Sequence, residues 1–186
     1  NFVTDGIYKI DGSFVYFKDG RHYTSTRWYS SNDTTMYYIR KGEVLYKRKQ
    51  SGNGYVLYQA NGVRWKKVSS MWAPYNKGKT FYYDKNGTSL YRYFNASYSK
   101  SKYRNTVWIY DEGSSGWQQV TDKLLNIHSD YYYIPEDGVI KAEEGWQTID
   151  KKTAVYTDAS GKVSKYIYYD KTGKYSIYRE GQKLDQ

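Results

Sequence analysis

The sequence predicts an all-β protein of repeated antiparallel hairpins, arranged as a stacked hairpin array or a small propeller-like fold. Three observations predict it. The 186 residues include 26 Tyr and 6 Trp but only six Ala and six Leu, a composition that favours pleated, half-buried surfaces over helices. The β-type runs are short and bounded by Gly-containing turn dipeptides. A Tyr-Gly-Tyr pattern recurs along the chain, and internal repetition bears directly on fold class.

In chain order, the first hairpin turns at Asp11-Gly12 and continues through Phe14, Val15, Tyr16 and Phe17. The second turns at Lys41-Gly42 and the third at Asn86-Gly87. In all three, Tyr stands four residues before the glycine (Tyr8, Tyr38, Tyr83), an aliphatic residue three after it (Val15, Leu45, Leu90) and Tyr four after it (Tyr16, Tyr46, Tyr91). Residues 55–58, 106–110 and 166–169 are further strand runs. Residues 168–173 repeat the hairpin, and residues 132–138 are a degenerate copy. A longer correspondence joins residues 26–48 to 70–92, and a Trp element recurs at Trp65, Trp117 and Trp146. Residues 121–130 (TDKLLNIHSD) are the one stretch where a helical turn is expected, capped by Thr121 or Asp122 and followed by Leu124, Leu125 and His128.

No Pro/Ser/Gly-rich linker interrupts this pattern, and Pro74 and Pro135 are the only prolines. Residues 1–186 are therefore read as a single repeat-built binding module. Asn1 in place of an initiator Met, with no charged and apolar leader after it, leads to the expectation of a piece of a longer protein.

Composition narrows the chemistry. Leu, Ile, Val and Phe make up only about 17% of a chain with net charge +10, which alone would suggest disorder. The 20% aromatic share offsets this, because Tyr and Trp bury large rings while keeping a polar edge wet. With no Cys and only His22 and His128, a thiol nucleophile, a disulfide scaffold and a Cys/His zinc site are excluded. No apolar run approaches the roughly 20 residues of a membrane-spanning helix.

Paired carboxylates can hydrolyse glycosides. The pairs Asp111-Glu112, Glu136-Asp137 and Glu143-Glu144 all flank glycines, where turn chemistry accounts for them. Asp170-Lys171-Thr172-Gly173 matches the phosphorylated tetrapeptide of cation pumps, yet no nucleotide-binding pattern accompanies it, so it reads as a hairpin turn. The expectation is a non-enzyme with no cofactor and no metal.

The basic residues are more informative. Arg21, Arg27, Arg40, Lys41, Lys47, Arg48, Lys49, Arg64, Lys66, Lys67, Lys77 and Lys79 concentrate positive charge in the first half, interleaved with Tyr and Trp. Cations beside aromatic platforms suit an anionic wall polymer such as teichoic acid, an acidic polysaccharide, or single-stranded nucleic acid. No RNP, KH or zinc-knuckle pattern is present, which weighs against nucleic acid. Strand side chains alternate between faces, so each Tyr pair presents one ring inward and one outward. The candidate ligand-binding residues are Trp28, Tyr37, Tyr38, Arg40, Trp72, Tyr82, Tyr83 and Lys85, whereas Trp65, Trp117 and Trp146 are expected to hold the repeats together.

The hairpins at residues 11–20, 81–87 and 168–173 resemble the aromatic repeats of choline-binding and glucan-binding cell-wall modules of Gram-positive surface proteins. In composition the chain also resembles the basic, Tyr-rich wall-anchoring regions of lactobacillar surface-layer proteins. The resemblance implies a secreted, non-catalytic glycan or wall-polymer binder that anchors a larger protein at the cell surface or wall. The alternatives are a single-stranded nucleic-acid binder and a self-assembling structural or adhesive surface domain.

Overall fold

The computed structural model describes residues 4–52, 54–111, 116–169, 171–172, 175–179 and 182–184. Residues 1–3, Glu112, and Asp170 and Gly173 of the last proposed turn lie outside the described residues. The described chain is all-β, in open antiparallel sheets. Two compact units divide it: residues 1–93 with 97–99 and 108–118, and residues 94–96 with 100–107 and 119–186.

The first sheet contains β1 (Gly6–Ile10), β2 (Ser13–Lys18), β3 (Arg21–His22), β4 (Arg27–Ser30), β5 (Thr35–Arg40), β6 (Glu43–Ser51), β7 (Gly54–Asn61) and β8 (Arg64–Lys67). Its main path runs β1-β2-β6-β5-β4, with β3 on β2 and with β7 joining β6 to β8. The tight turns follow from their residues. Asp11 and Gly12 have φ of 50° and 77°, and Lys41 and Gly42 have 51° and 87°, so both hairpins close on two left-handed residues whose twist matches that of the strands. Glycine suits position 42, where φ is 87° and a Cβ would also meet the His22 ring.

β9 (Met71–Asn76), β10 (Lys79–Tyr83), β11 (Ser89–Phe94), β12 (Thr106–Asp111) and β13 (Gly116–Gln119) form a second sheet in the order β13-β12-β11-β10-β9. Pro74 is tolerated because β9 is an edge strand. Between β10 and β11, Asp84 Oδ1 accepts hydrogen bonds from the Asn86 and Thr88 amides at 2.8 and 3.1 Å. A Cβ on Gly87 would lie 2.9 Å from the Val68 carbonyl oxygen.

The remaining strands are β14 (Lys123–Ile127) with β15 (Asp130–Ile134), and a sheet of β16 (Gly145–Thr148), β17 (Thr153–Thr157), β18 (Val163–Tyr169), β19 (Tyr175–Arg179) and β20 (Gln182–Leu184) in sequential order. The Asp158–Gly161 turn copies the Asp84 turn: Asp158 Oδ1 accepts from the Ser160 and Lys162 amides at 2.8 and 3.0 Å. Sequence reading missed this copy.

The helical turn expected within residues 121–130 is absent. Leu124 faces Tyr133 and Leu125 faces Tyr132 across the β14–β15 hairpin, which closes on His128 and Ser129 at φ 52° and 72°. Cross-strand pairs with two tyrosines outweigh the weak local helix signal. Among the described residues, the one helical element is a 3-10 turn at Ser101–Tyr103.

Two aromatic cores lie among the described residues of the first unit. Leu57, Val68, Ala73, Phe81 and Tyr83 form one, with Trp28, Tyr46, Tyr55, Met71, Tyr75 and Trp117 packed around it. Phe14, Tyr16, Ile39 and Val44 form the other, with Tyr29, Tyr37 and Trp65 among its neighbours. The Tyr55 amide donates to the Ser89 hydroxyl at 2.9 Å and the Leu57 amide to the Gly87 carbonyl at 3.0 Å. These bonds join β7 to the β10–β11 hairpin. In the second unit, Val107, Ile127, Ile134, Ile140 and Val155 are buried.

Candidate functional site

The first unit contains an open cleft of about 510 Å³ lined by Thr26, Arg27, Trp28, Tyr38, Pro74, Tyr75, Asn76 and Lys77. That volume is in the range of small-ligand sites. The pleat selects its aromatic residues. On β5, Tyr37 and Ile39 face the Phe14 core, and Tyr38 points the other way. Tyr38 pairs with Trp28 of β4, ring centroids 5.3 Å apart, and stands 6.1 Å from Tyr46 of β6. A bulge between Tyr38 and Ile39 sets the β5–β6 register that brings Tyr38 opposite Tyr46. Tyr75 of β9 closes the other side, 5.8 Å from Trp28.

The cleft is cationic. Arg27 donates from Nε to the Trp28 carbonyl at 3.2 Å, and its hydrogen bond to the Tyr23 hydroxyl holds that pKa below the usual tyrosine value. Lys77 lines the opposite rim. Behind the rings lies Arg48, only 3% exposed. Its guanidinium sits 3.9 Å from the Tyr55 ring centroid, 4.3 Å from that of Tyr75 and 5.0 Å from that of Trp28. Nη2 reaches Met36 Sδ at 3.0 Å, but Nε and Nη1 have no hydrogen-bond partner. Among the described residues Arg48 has no carboxylate partner. Trp28 Nε1, also buried, has no partner either.

The candidate residues separate under this geometry. Trp28 and Tyr38 line the cleft. Tyr37 is an inner residue, 5.9 Å from Trp65, and burial pushes its pKa up. Trp72 and Tyr82 pair at 5.4 Å, and Tyr82 lies 6.0 Å from Tyr91 on the face opposite Phe81 and Tyr83. Tyr83 requires correction. It is 1% exposed and burial pushes its hydroxyl pKa up, so it is a core residue that no ligand reaches.

Arg40 is exposed opposite Glu43 at the hairpin end, where its charge partly opposes the upward shift that burial gives Tyr46. Lys85 is exposed in the Asp84 turn. Neither lines the cleft. Trp65 stacks on Phe14 at 4.7 Å, and Trp117 packs edge-on against Phe81 at 5.7 Å. Trp146, expected to pack like them, is instead 48% exposed. Arg48, counted among the basic residues of the first half, is buried, and its repeat equivalent Arg92 lies over Trp117 at 4.9 Å.

Sequence reasoning missed Tyr75. Alternation along β9 sets Tyr75 with Ala73, away from Trp72 and Pro74, but the approach of β9 to β4 has no local signature. The other chemistry-bearing groups are engaged locally. His22 Nε2 lies 3.1 Å from the Gly42 carbonyl oxygen. His128 sits in the β14–β15 turn, where burial lowers its pKa against the opposing pull of Asp130. Asp137 caps the Val139 amide. Among the described residues, no three His, Asp or Glu side chains are grouped as a metal site, and no helix is long and apolar enough to cross a membrane.

Fold and cleft define an all-β, Tyr- and Trp-rich protein of open antiparallel sheets with an aromatic, cationic cleft. No protein-family model matches the chain, and no curated protein sequence matches it. Among solved structures it is similar to CbpJ from Streptococcus pneumoniae at 15% identity and a TM-score of 0.24, over 95% of this chain and 84% of that one. A truncated alternansucrase from Leuconostoc mesenteroides matches at 14% and 0.28, over 97% of this chain and 16% of the enzyme. The modular autolysin LytC from Streptococcus pneumoniae matches at 15% and 0.22, over 95% of this chain and 50% of LytC.

Proposed function

We propose that the chain is a non-catalytic binding module for an anionic cell-wall polymer or polysaccharide, anchoring a larger protein at the cell surface or wall. One observation carries the reading: Trp28, Tyr38 and Tyr75 line a cleft whose charged wall residues, Arg27 and Lys77, are both cations, with the buried Arg48, which has no carboxylate partner among the described residues, behind them. Aromatic faces stack on sugar rings while the cations hold phosphate or carboxylate groups. A charge of +10 adds long-range attraction, screened over about 8 Å at physiological ionic strength.

The test is pull-down by purified Gram-positive walls, intact and stripped of teichoic acid, at two salt concentrations. Intact walls should retain more protein, and salt should weaken binding. Replacing Arg27 and Lys77 together by Gln should reduce retention about tenfold at low salt with the thermal midpoint unchanged. Equal binding to stripped walls would contradict the reading. Tighter binding to single-stranded DNA than to walls at the same salt would replace it.

A further inference from the structure

The second unit carries another copy of the Trp–Tyr pair in different chemical surroundings. Trp146 of β16 faces Tyr156 of β17, with ring centroids 5.3 Å apart and planes at 72°. The Lys165 ammonium lies 4.6 Å from the Tyr156 ring centroid and 5.6 Å from that of Trp146. The Tyr156 hydroxyl donates to Glu144 Oε1 at 2.7 Å, which fixes the carboxylate beside the rings. Gln147 donates from Nε2 to the Thr157 hydroxyl at 3.1 Å, and that hydroxyl donates to the Glu143 carbonyl at 2.7 Å. A shallow cavity of about 160 Å³ adjoins the indole, lined by Lys141, Glu143, Glu144, Gly145, Trp146 and Gln147.

From this arrangement we infer a second binding site, with Trp146 as its platform and an uncharged sugar residue as its ligand. The site is independent of the cationic cleft. Trp146 is 48% exposed, so an indole face is open to the C–H face of a sugar ring. The Glu144 carboxylate accepts from sugar hydroxyls, and Lys141 donates to sugar oxygens. Two acids and two lysines surround the ring, leaving no net charge to select a polyanion. Lys165 already occupies the cation position over both rings, so a cationic ligand would meet like charge. The site is preorganised, since β-sheet pairing fixes both rings and the Tyr156 bond fixes Glu144.

The experiment titrates the chain with chitotetraose, cellotetraose and maltotetraose, following the indole N–H signals by NMR. At least one of these neutral tetrasaccharides should shift the Trp146 signal. Trp146→Ala should weaken that binding about tenfold, Trp146→Tyr should restore part of it, and Glu144→Gln should cost about threefold. None of these changes should move the thermal midpoint by more than about 2 °C, because Trp146 is half exposed and the Tyr156–Glu144 bond lies at the surface. Three outcomes would overturn the inference. They are no Trp146 shift with any of the three sugars up to about 10 mM, binding that survives Trp146→Ala, and displacement of the sugar from Trp146 by teichoic acid.

Discussion

Trp28 in the first unit and Trp146 in the second each face a tyrosine across a hairpin, with the same 5.3 Å between ring centroids. Their surroundings diverge. Trp28 is overlaid by Tyr75 of β9 and backed by Arg48, and its indole nitrogen is buried without a partner. Trp146 meets a lysine and a carboxylate-anchored tyrosine and stays 48% exposed. Local register therefore sets the pair, while a strand distant in sequence sets its burial. One motif thus serves as a half-buried cleft wall in one place and as an open platform in the other.

The largest expected effect tests that contrast in stability. Trp28→Ala removes a ring packed on the Phe81 and Tyr83 core and should cost about 3 kcal/mol, whereas Trp146→Ala should stay within about 0.5 kcal/mol. At roughly 2–4 °C per kcal/mol for a chain of this size, the two melting curves should separate clearly. Equal shifts would erase the distinction between wall and platform.

A smaller effect concerns Arg48. Its cage supplies cation–π attraction from three rings within 5.0 Å but, among the described residues, no counter-ion, so burying the charge and stacking it largely offset each other. Arg48→Met should stay within about 1 kcal/mol of the parent. Arg48→Lys should be worse, by about 2 kcal/mol, because a compact, strongly hydrated ammonium loses the planar stacking. Urea denaturation of both variants checks the order, and a lysine variant as stable as the methionine one would show that stacking contributes little.

pH should separate the parent chain from Tyr83→Phe by a lesser amount. Burial raises the Tyr83 pKa above its unfolded value near 10, so its contribution is fully present below pH 10 and lost as pH climbs beyond. Tyr37 and Tyr46 shift in the same direction. Stability should hold to about pH 9 and fall by pH 11. Tyr83→Phe should blunt that fall, and an unchanged alkaline slope would contradict the assignment.

Much of this architecture was legible in the sequence. The turns at Asp11-Gly12 and Lys41-Gly42 announce their left-handed residues, and aligning their glycines correctly identifies the hairpins. Pairing within them was not legible. Tyr8 faces Val15 in the first hairpin, while the bulge after Tyr38 brings it opposite Tyr46 in the second. A one-residue irregularity carries no sequence signature, yet it decides which ring meets which. Alternation correctly anticipated that one of Tyr82 and Tyr83 turns inward but could not say which. Burial of Arg48 was hidden because a guanidinium enters a core only where several rings converge, and that convergence depends on strands far apart in the chain.

If an anionic wall polymer occupies the cleft between Trp28, Tyr38 and Tyr75, the Trp28 indole should report it directly. The chain has six tryptophans, so its indole N–H spectrum is simple enough to assign by single substitution. On titration with purified teichoic acid at low salt, the Trp28 signal should shift most, and added salt should reverse the shift. Binding that leaves the Trp28 signal unmoved while shifting another indole would place the polymer outside this cleft.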